Sequence, residues 1–124
     1  MTAAAPRIRR AYDPPARTDG KRVLIDRLWP RGLARAKAGI DLWLKDVAPS
    51  DALRREFGHD PVRWRGFENA YRKELAANPA PVGQLIELCR AGPVTLLFAA
   101  HDAAHNNAVV LAAFLAERLR SDHG

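Results

Sequence analysis

The stretch "VTLLFAA", residues 94–100, is apolar at almost every position, and a helical pattern from 103 to 120 follows it at once. An apolar run without alternation marks a strand covered on both faces, as in a parallel sheet. A strand that leads directly into a helix predicts an α/β layered domain. "RVLIDRL" (22–28) is the second such strand, with Val23, Leu24 and Ile25 apolar on both faces and Pro30 and Gly32 ending it. "IRRAY" (8–12) is expected to be a third, short strand, and "PPARTDGK" (14–21) is turn material.

Between these strands the punctuation is helical. Residues 33–49 are expected to hold a helical turn or two and then loop. Ser50 is a predicted N-cap for 51–57, with Gly58 closing that helix. Asp60 followed by Pro61 starts another over 61–77, with Trp64, Phe67, Tyr71 and Leu75 in one stripe and a Glu68–Arg72 pair on its surface. Asn78-Pro79 breaks it, 81–91 is a further helix, and Gly92-Pro93 stops that one. Asp102 is expected to cap the last helix, with His105 and Asn106 in its first turn. The order β-β-α-α-α-β-α predicts a small layered α/β domain whose short, mostly parallel sheet is flanked by helices. About nine residues join the first two strands, a spacing that favours a hairpin over a parallel crossover.

At 124 residues the chain is expected to form a single domain over 1–124, with disordered tails at 1–7 and 121–124. Its longest apolar runs fall well short of the roughly 20 residues that span a bilayer, and the opening "MTAAAPRIRR" has no apolar signal region, so no membrane association is expected. Cys89 is the lone cysteine, which points to a reducing cytoplasm. Residues 1–45 hold 11 Lys/Arg against 4 Asp/Glu, a net of +7, within a chain whose total is +6. A basic half suits an anionic ligand or nucleic acid, or simply solubility.

Polar residues interrupt the apolar strands where such sheets place ligands, beyond the carboxyl ends of parallel strands. One strand end supplies Arg27, Trp29 and Arg31; the other supplies His101, Asp102, His105, Asn106 and Asn107. Asp26 sits within the expected strand 22–28, where a buried carboxylate needs partners, and Arg31, Lys45 and His101 are the candidates. Arg27, Arg31 and Lys45 can hold a phosphate or carboxylate, unless internal acids such as Asp41 or Asp46 engage them. Asp26 and His105 are the acid/base candidates, and His59 and Trp29 are candidate cleft residues. "HDAAH" spaces two histidines by four, but a metal site needs three or four ligands, so no metal is expected. Trp64 belongs to the core by its spacing, and Trp43 is open to either role. Cys89 reads as inert packing. The chain has no Walker loop, GxGxxG, GxSxG or CxxC, and no cofactor is expected.

"DGKRVLIDRLWPRG", "DLWLKDVAPS", "FGHDP" and "TLLFAAHDAAHNNAVVL" occur in this order. Together they resemble the YeaO-like group of the family called domain of unknown function 488, over about Ile8 to Leu119. The resemblance implies a small cytosolic α/β protein without an assigned activity, and first and second strands that are parallel. It carries over Asp26, Arg27, Trp29, Pro30, Arg31 and Gly32; Trp43, Lys45, Asp46 and Ser50; Gly58, His59 and Asp60; and Asp102, His105, Asn106 and Asn107. At His101 the family pattern has lysine, so a role there that needs a fixed positive charge does not carry over. Three functions are open at this point: binding or conversion of a small anionic ligand, nucleic-acid binding, and a non-enzymatic regulatory role.

Overall fold

The computed structural model describes residues 4–121. Its elements are β1 (Arg7–Arg10), β2 (Lys21–Leu24), α1 (Arg35–Ala38), β3 (Leu42–Trp43), α2 (Asp51–Phe57), α3 (Trp64–Ala76), α4 (Pro79–Ala91), β4 (Val94–Phe98) and α5 (Asn107–Ser121). The expected tails at 1–7 and 121–124 fall mostly outside the described residues; Arg7 already begins β1 and Ser121 ends α5. No helix among the described residues is long and apolar enough to cross a membrane.

The four strands form one sheet in the order β1-β4-β2-β3, parallel throughout. The protein is therefore an α/β domain. The short link between β1 and β2 makes no hairpin, because β4 lies between them. The link carries the chain past one strand with only a 3₁₀ turn, Arg17–Asp19, in place of a crossover helix. Gly20 makes the return possible: its φ is +64°, and a Cβ there would lie 2.2 Å from the Pro93 carbonyl oxygen.

The two faces of the sheet are covered differently. Val23, Leu96 and Phe98 point to one face and pack with residues of α2 to α5, including Phe57, Phe67, Tyr71, Leu85 and Leu111. Leu24 and Leu97 point to the other, where Ala11, Trp29, Leu33, Ile40 and Trp43 cover them. Among the described residues no long helix lies on that second face. A buried ion network stands there instead. Asp19 and Arg22 are 2% and 3% exposed, and the Asp19 carboxylate accepts from Arg22 at 2.6 Å, Arg9 at 3.0 Å and the Ala16 N–H at 2.9 Å. The Arg22 guanidinium also donates to the carbonyls of Asp13, Ala38 and Gly39. Burial on its own would raise the Asp19 pKa, but the Ala16 N–H, Arg22 and Arg9 outweigh it and hold it below the usual carboxylate range.

Several predicted boundaries move. β2 ends at Leu24, not Leu28, because the Ala99 N–H beyond β4 is taken by the Asp26 side chain rather than by a strand carbonyl. The two-residue β3 is a strand that the sequence pattern did not show. Ser50 and Gly58 cap α2 as expected: Ser50 Oγ accepts from the Leu53 N–H, and Gly58 takes a left-handed φ of 54°. Asp60 does accept from the Val62 N–H, but the turn it caps is 3₁₀ and α3 proper starts at Trp64. Arg72 pairs with Glu117 of α5 and not with Glu68. α3 does end before Asn78-Pro79, and Pro79 itself begins α4, two residues ahead of the expected 81. α5 starts at Asn107, four residues later than expected, and Asn106 is its cap, with Oδ1 accepting from the Val109 N–H at 3.2 Å.

Candidate anion-binding cleft

A cleft of about 700 Å³ opens at the carboxyl ends of β2 and β4. One wall is the segment Asp26–Arg31 after β2, the second is Ala99–Asn107 after β4, and the third is α2 with His59. Phe57 and Phe67, both buried, stack at 4.6 Å between ring centres and close its inner end.

Asp26 joins these walls. Its carboxylate accepts from the Ala99 N–H at 2.9 Å and from Asn107 Nδ2 at 3.0 Å. Asn107 also donates to the Ile25 carbonyl, and Trp43 Nε1 donates to the carbonyl of Asp26 itself. One residue thus ties the end of β2 to the end of β4, the first residue of α5 and β3. Burial raises the Asp26 pKa, against the opposing hydrogen bonds from Asn107 and Ala99 and the positive charges of Arg54 and His59. The expected partners Arg31, Lys45 and His101 form no ion pair with it; the carboxylate is satisfied by neutral donors.

Asp102 organises the opposite lip. Its Oδ1 accepts from the N–H groups of Ala104 and His105, at 2.9 and 3.0 Å, and its Oδ2 lies 2.8 Å from His105 Nδ1. The Ala104 N–H first, and the His105 side chain next, hold Asp102 below the usual carboxylate range. Asp102 therefore caps a turn before α5 and fixes the His105 ring, which also meets Trp64 edge to face at 5.2 Å. With Nδ1 against a carboxylate, the neutral ring keeps its proton there and leaves Nε2 as an acceptor. Asn106 is buried and spent on structure, donating to the Asp102 carbonyl as well as capping α5. No cluster of three or more His, Cys, Asp or Glu suited to a metal occurs among the described residues.

The cations around the cleft are Arg27, Arg31, Arg54 and Arg55. Arg27 and Arg54 share one carboxylate, Asp51, at 3.5 and 3.6 Å. Arg31 and Arg55 have no ion-pair partner among the described residues. His59, His101 and His105 also line the cleft, and His59 holds a left-handed φ of 58°. Trp29 forms part of one edge, with its ring N–H on the Leu33 carbonyl and its ring against Trp43.

The structure thus gathers Asp26, Arg27, Trp29, Arg31, His59, His101, Asp102, His105, Asn106 and Asn107 about one cavity. Lys45 is the exception. It lies outside the cleft, with its Nζ 4.2 Å from the Trp43 ring centre. The sequence reading missed Arg54 and Arg55. No local signal marked them: both are exposed residues of α2, and the packing of that helix brings them to the cleft.

The model for the family described as "Inactive DUF488-N3 subclade" matches residues 6–124. The chain belongs to this family. It is 38% identical over 107 residues to the uncharacterized protein YeaO of Escherichia coli K12, covering 86% of this chain and 93% of YeaO. It is equally similar, 38% over 109 residues, to the uncharacterized proteins Rv3073c of Mycobacterium tuberculosis and Mb3100c of Mycobacterium bovis, with 88% of this chain and 92% of each relative covered. No solved structure matches the chain. The YeaO-like resemblance read from the four motifs is therefore correct, and the family's own description adds the word inactive.

Proposed function

We propose that this protein binds a small anionic, phosphate-bearing ligand in the cleft at the strand ends and does not turn it over. The observation that carries this reading is the charge balance of the rim. Four arginines line the cleft against two carboxylates, Asp26 and Asp102, that other donors hold, and among the described residues Asp51 alone stands within ion-pair distance of any of the four. Guanidinium groups without internal partners are suited to fork-like hydrogen bonds with phosphate oxygens.

Two further observations support binding over catalysis. Of the two acid/base candidates, Asp26 is spent on holding the walls together through neutral donors, so His105, oriented by Asp102, would have to act without it. The family description as inactive points the same way. A nucleic-acid interface has less support, because the N-terminal arginines are used inside the fold. Arg9 and Arg22 pair with Asp19, Arg10 donates to the carbonyls of Ala99 and Ala100, and Arg7 donates to that of Thr18.

A thermal-shift panel tests the reading. Wild type and the double variant Arg31→Ala, Arg55→Ala are compared with inorganic phosphate, sugar phosphates, nucleotides and short oligonucleotides. A ligand at about 100 times its Kd adds about 2.7 kcal/mol, which is several degrees for a domain of this size. The expected result is a shift with at least one small phosphate that the double variant loses. No shift with any of them removes the proposal.

A further inference from the structure

Among the described residues, Asp51 is the one acid in ion-pair contact with the cleft's arginines; Asp26 and Asp102, which line the cleft, are held by other donors. Asp51 is the first residue of α2, yet Ser50 caps that helix by accepting from the Leu53 N–H. Ser50 is itself anchored, donating its hydroxyl to Glu74 at 2.6 Å and its backbone N–H to the same carboxylate at 2.9 Å. What Asp51 does contact are Arg27 Nε at 3.5 Å and Arg54 Nη1 at 3.6 Å, both through the same oxygen, Oδ1.

These contacts are loose. Charged hydrogen bonds between guanidinium and carboxylate groups usually measure about 2.7–2.9 Å, well short of the distances seen. All three side chains are about half exposed, so neither pair is held firmly. One carboxylate oxygen is thus placed between two guanidinium groups without the geometry of a stable ion pair.

We infer that Asp51 is a stand-in anion: its carboxylate occupies, between Arg27 and Arg54, the place that a phosphate group of the ligand takes on binding. The inference rests on the proposed anion-binding function and adds to it a ligand class and a gate. A phosphate monoester or inorganic phosphate carries up to two charges and three or more acceptor oxygens. It can satisfy both guanidinium groups at once at shorter distances, where Asp51 offers each a long contact to one oxygen. Arg31 and Arg55 line the same cleft without ion-pair partners among the described residues and add to its positive charge. Asp51 keeps the Arg27–Arg54 pair from repelling when the cleft is empty and yields to a ligand of greater charge. A carboxylate or another singly charged anion gains little by the exchange, so the gate selects for dianions.

The test is calorimetric titration of the full chain at low salt with inorganic phosphate and with acetate. Wild type, Asp51→Asn and Glu87→Gln are compared. Glu87 lies on α4, away from the cleft, so Glu87→Gln removes the same charge at a neutral site. Asn at position 51 keeps the shape and the helix cap but frees both arginines. Asp51→Asn is expected to bind phosphate about 2- to 10-fold more tightly than wild type, the range that loss of one or two exposed competing ion pairs allows. Its discrimination against acetate should fall, and Glu87→Gln should match wild type. Binding by Asp51→Asn that is no tighter than that of Glu87→Gln overturns the gate while leaving the anion site standing. Absence of phosphate binding in all three proteins removes the anion-binding function, and the gate with it.

Discussion

Replacing Asn107 by Ala isolates the joint on which the cleft is built. The variant loses the donor to Asp26 at 3.0 Å and the donor to the Ile25 carbonyl at 3.2 Å. It should leave α5 intact, because Asn106 and not Asn107 caps that helix. A hydrogen bond to a charged group contributes about 1.5–3 kcal/mol and one between neutral groups about 0.5–1.5 kcal/mol. Both sites are partly open to solvent, so the lower ends apply, and the expected loss near neutral pH is about 2 kcal/mol, or about 8 °C in Tm. The loss should also depend on pH in a definite direction. The Asp26 pKa is raised in the folded protein, so protonation of Asp26 favours the fold: that contribution is full below the unfolded value, about 3.9, and fades as pH rises through the folded value. Removing a donor to the charged form pushes the folded pKa higher still. The gap between wild type and variant is therefore widest above both folded values and narrows as pH falls. Denaturant unfolding of both proteins at about pH 7.5 and about pH 4.5 measures it, and acid effects elsewhere cancel in the difference. A gap below about 0.5 kcal/mol at neutral pH, a size typical of surface changes, or one that does not narrow in acid, would show that Asp26 and Asn107 do not hold the walls together.

Three further outcomes follow from the same contacts. Asp19→Ala strands Arg22, 3% exposed, without its carboxylate and should cost about 3 kcal/mol by denaturant unfolding. Because the folded Asp19 pKa is lowered, the stability it contributes is present above about 3.9 and is lost as pH falls through the folded value, so acid unfolding should begin at higher pH in wild type than a hypothetical chain with a stronger Asp19 network, and the Asp19→Ala deficit should shrink in acid. Arg55→Ala should leave stability within about 0.5 kcal/mol and weaken phosphate binding in titration. Lys45→Ala should leave phosphate binding unchanged, since Lys45 sits over Trp43 outside the cleft.

The parts of this fold that were legible in the sequence share a physical cause. "VTLLFAA" has to be a covered strand because nothing polar in it needs water, and it is β4, fully buried. Ser50, Gly58 and Asp60 announced their caps because those residue types satisfy orphan backbone groups locally. What could not be read was whatever depends on a distant partner. The β1–β2 link looked like a hairpin until β4, more than seventy residues later, took the place between them. The Asp26 partners were sought among charged residues, and the actual donors are a backbone N–H and an amide from the far strand end. Asp102 and Asn106 are both good caps, and only the packing of the turn decides that the second one starts α5. Arg54 and Arg55 looked like surface charge because their relation to the strand ends is set by how α2 packs.

The most direct test of an anion site at the strand ends is amide mapping of the full chain by proton–nitrogen correlation spectra during titration with inorganic phosphate at low salt. The expected result is a saturable set of shifts confined to the cleft, at Arg27, Arg31, Arg54, Arg55, His59, Ala99 and His105. Shifts confined to the second sheet face around Arg7, Arg9 and Lys37, or none at all, would contradict it.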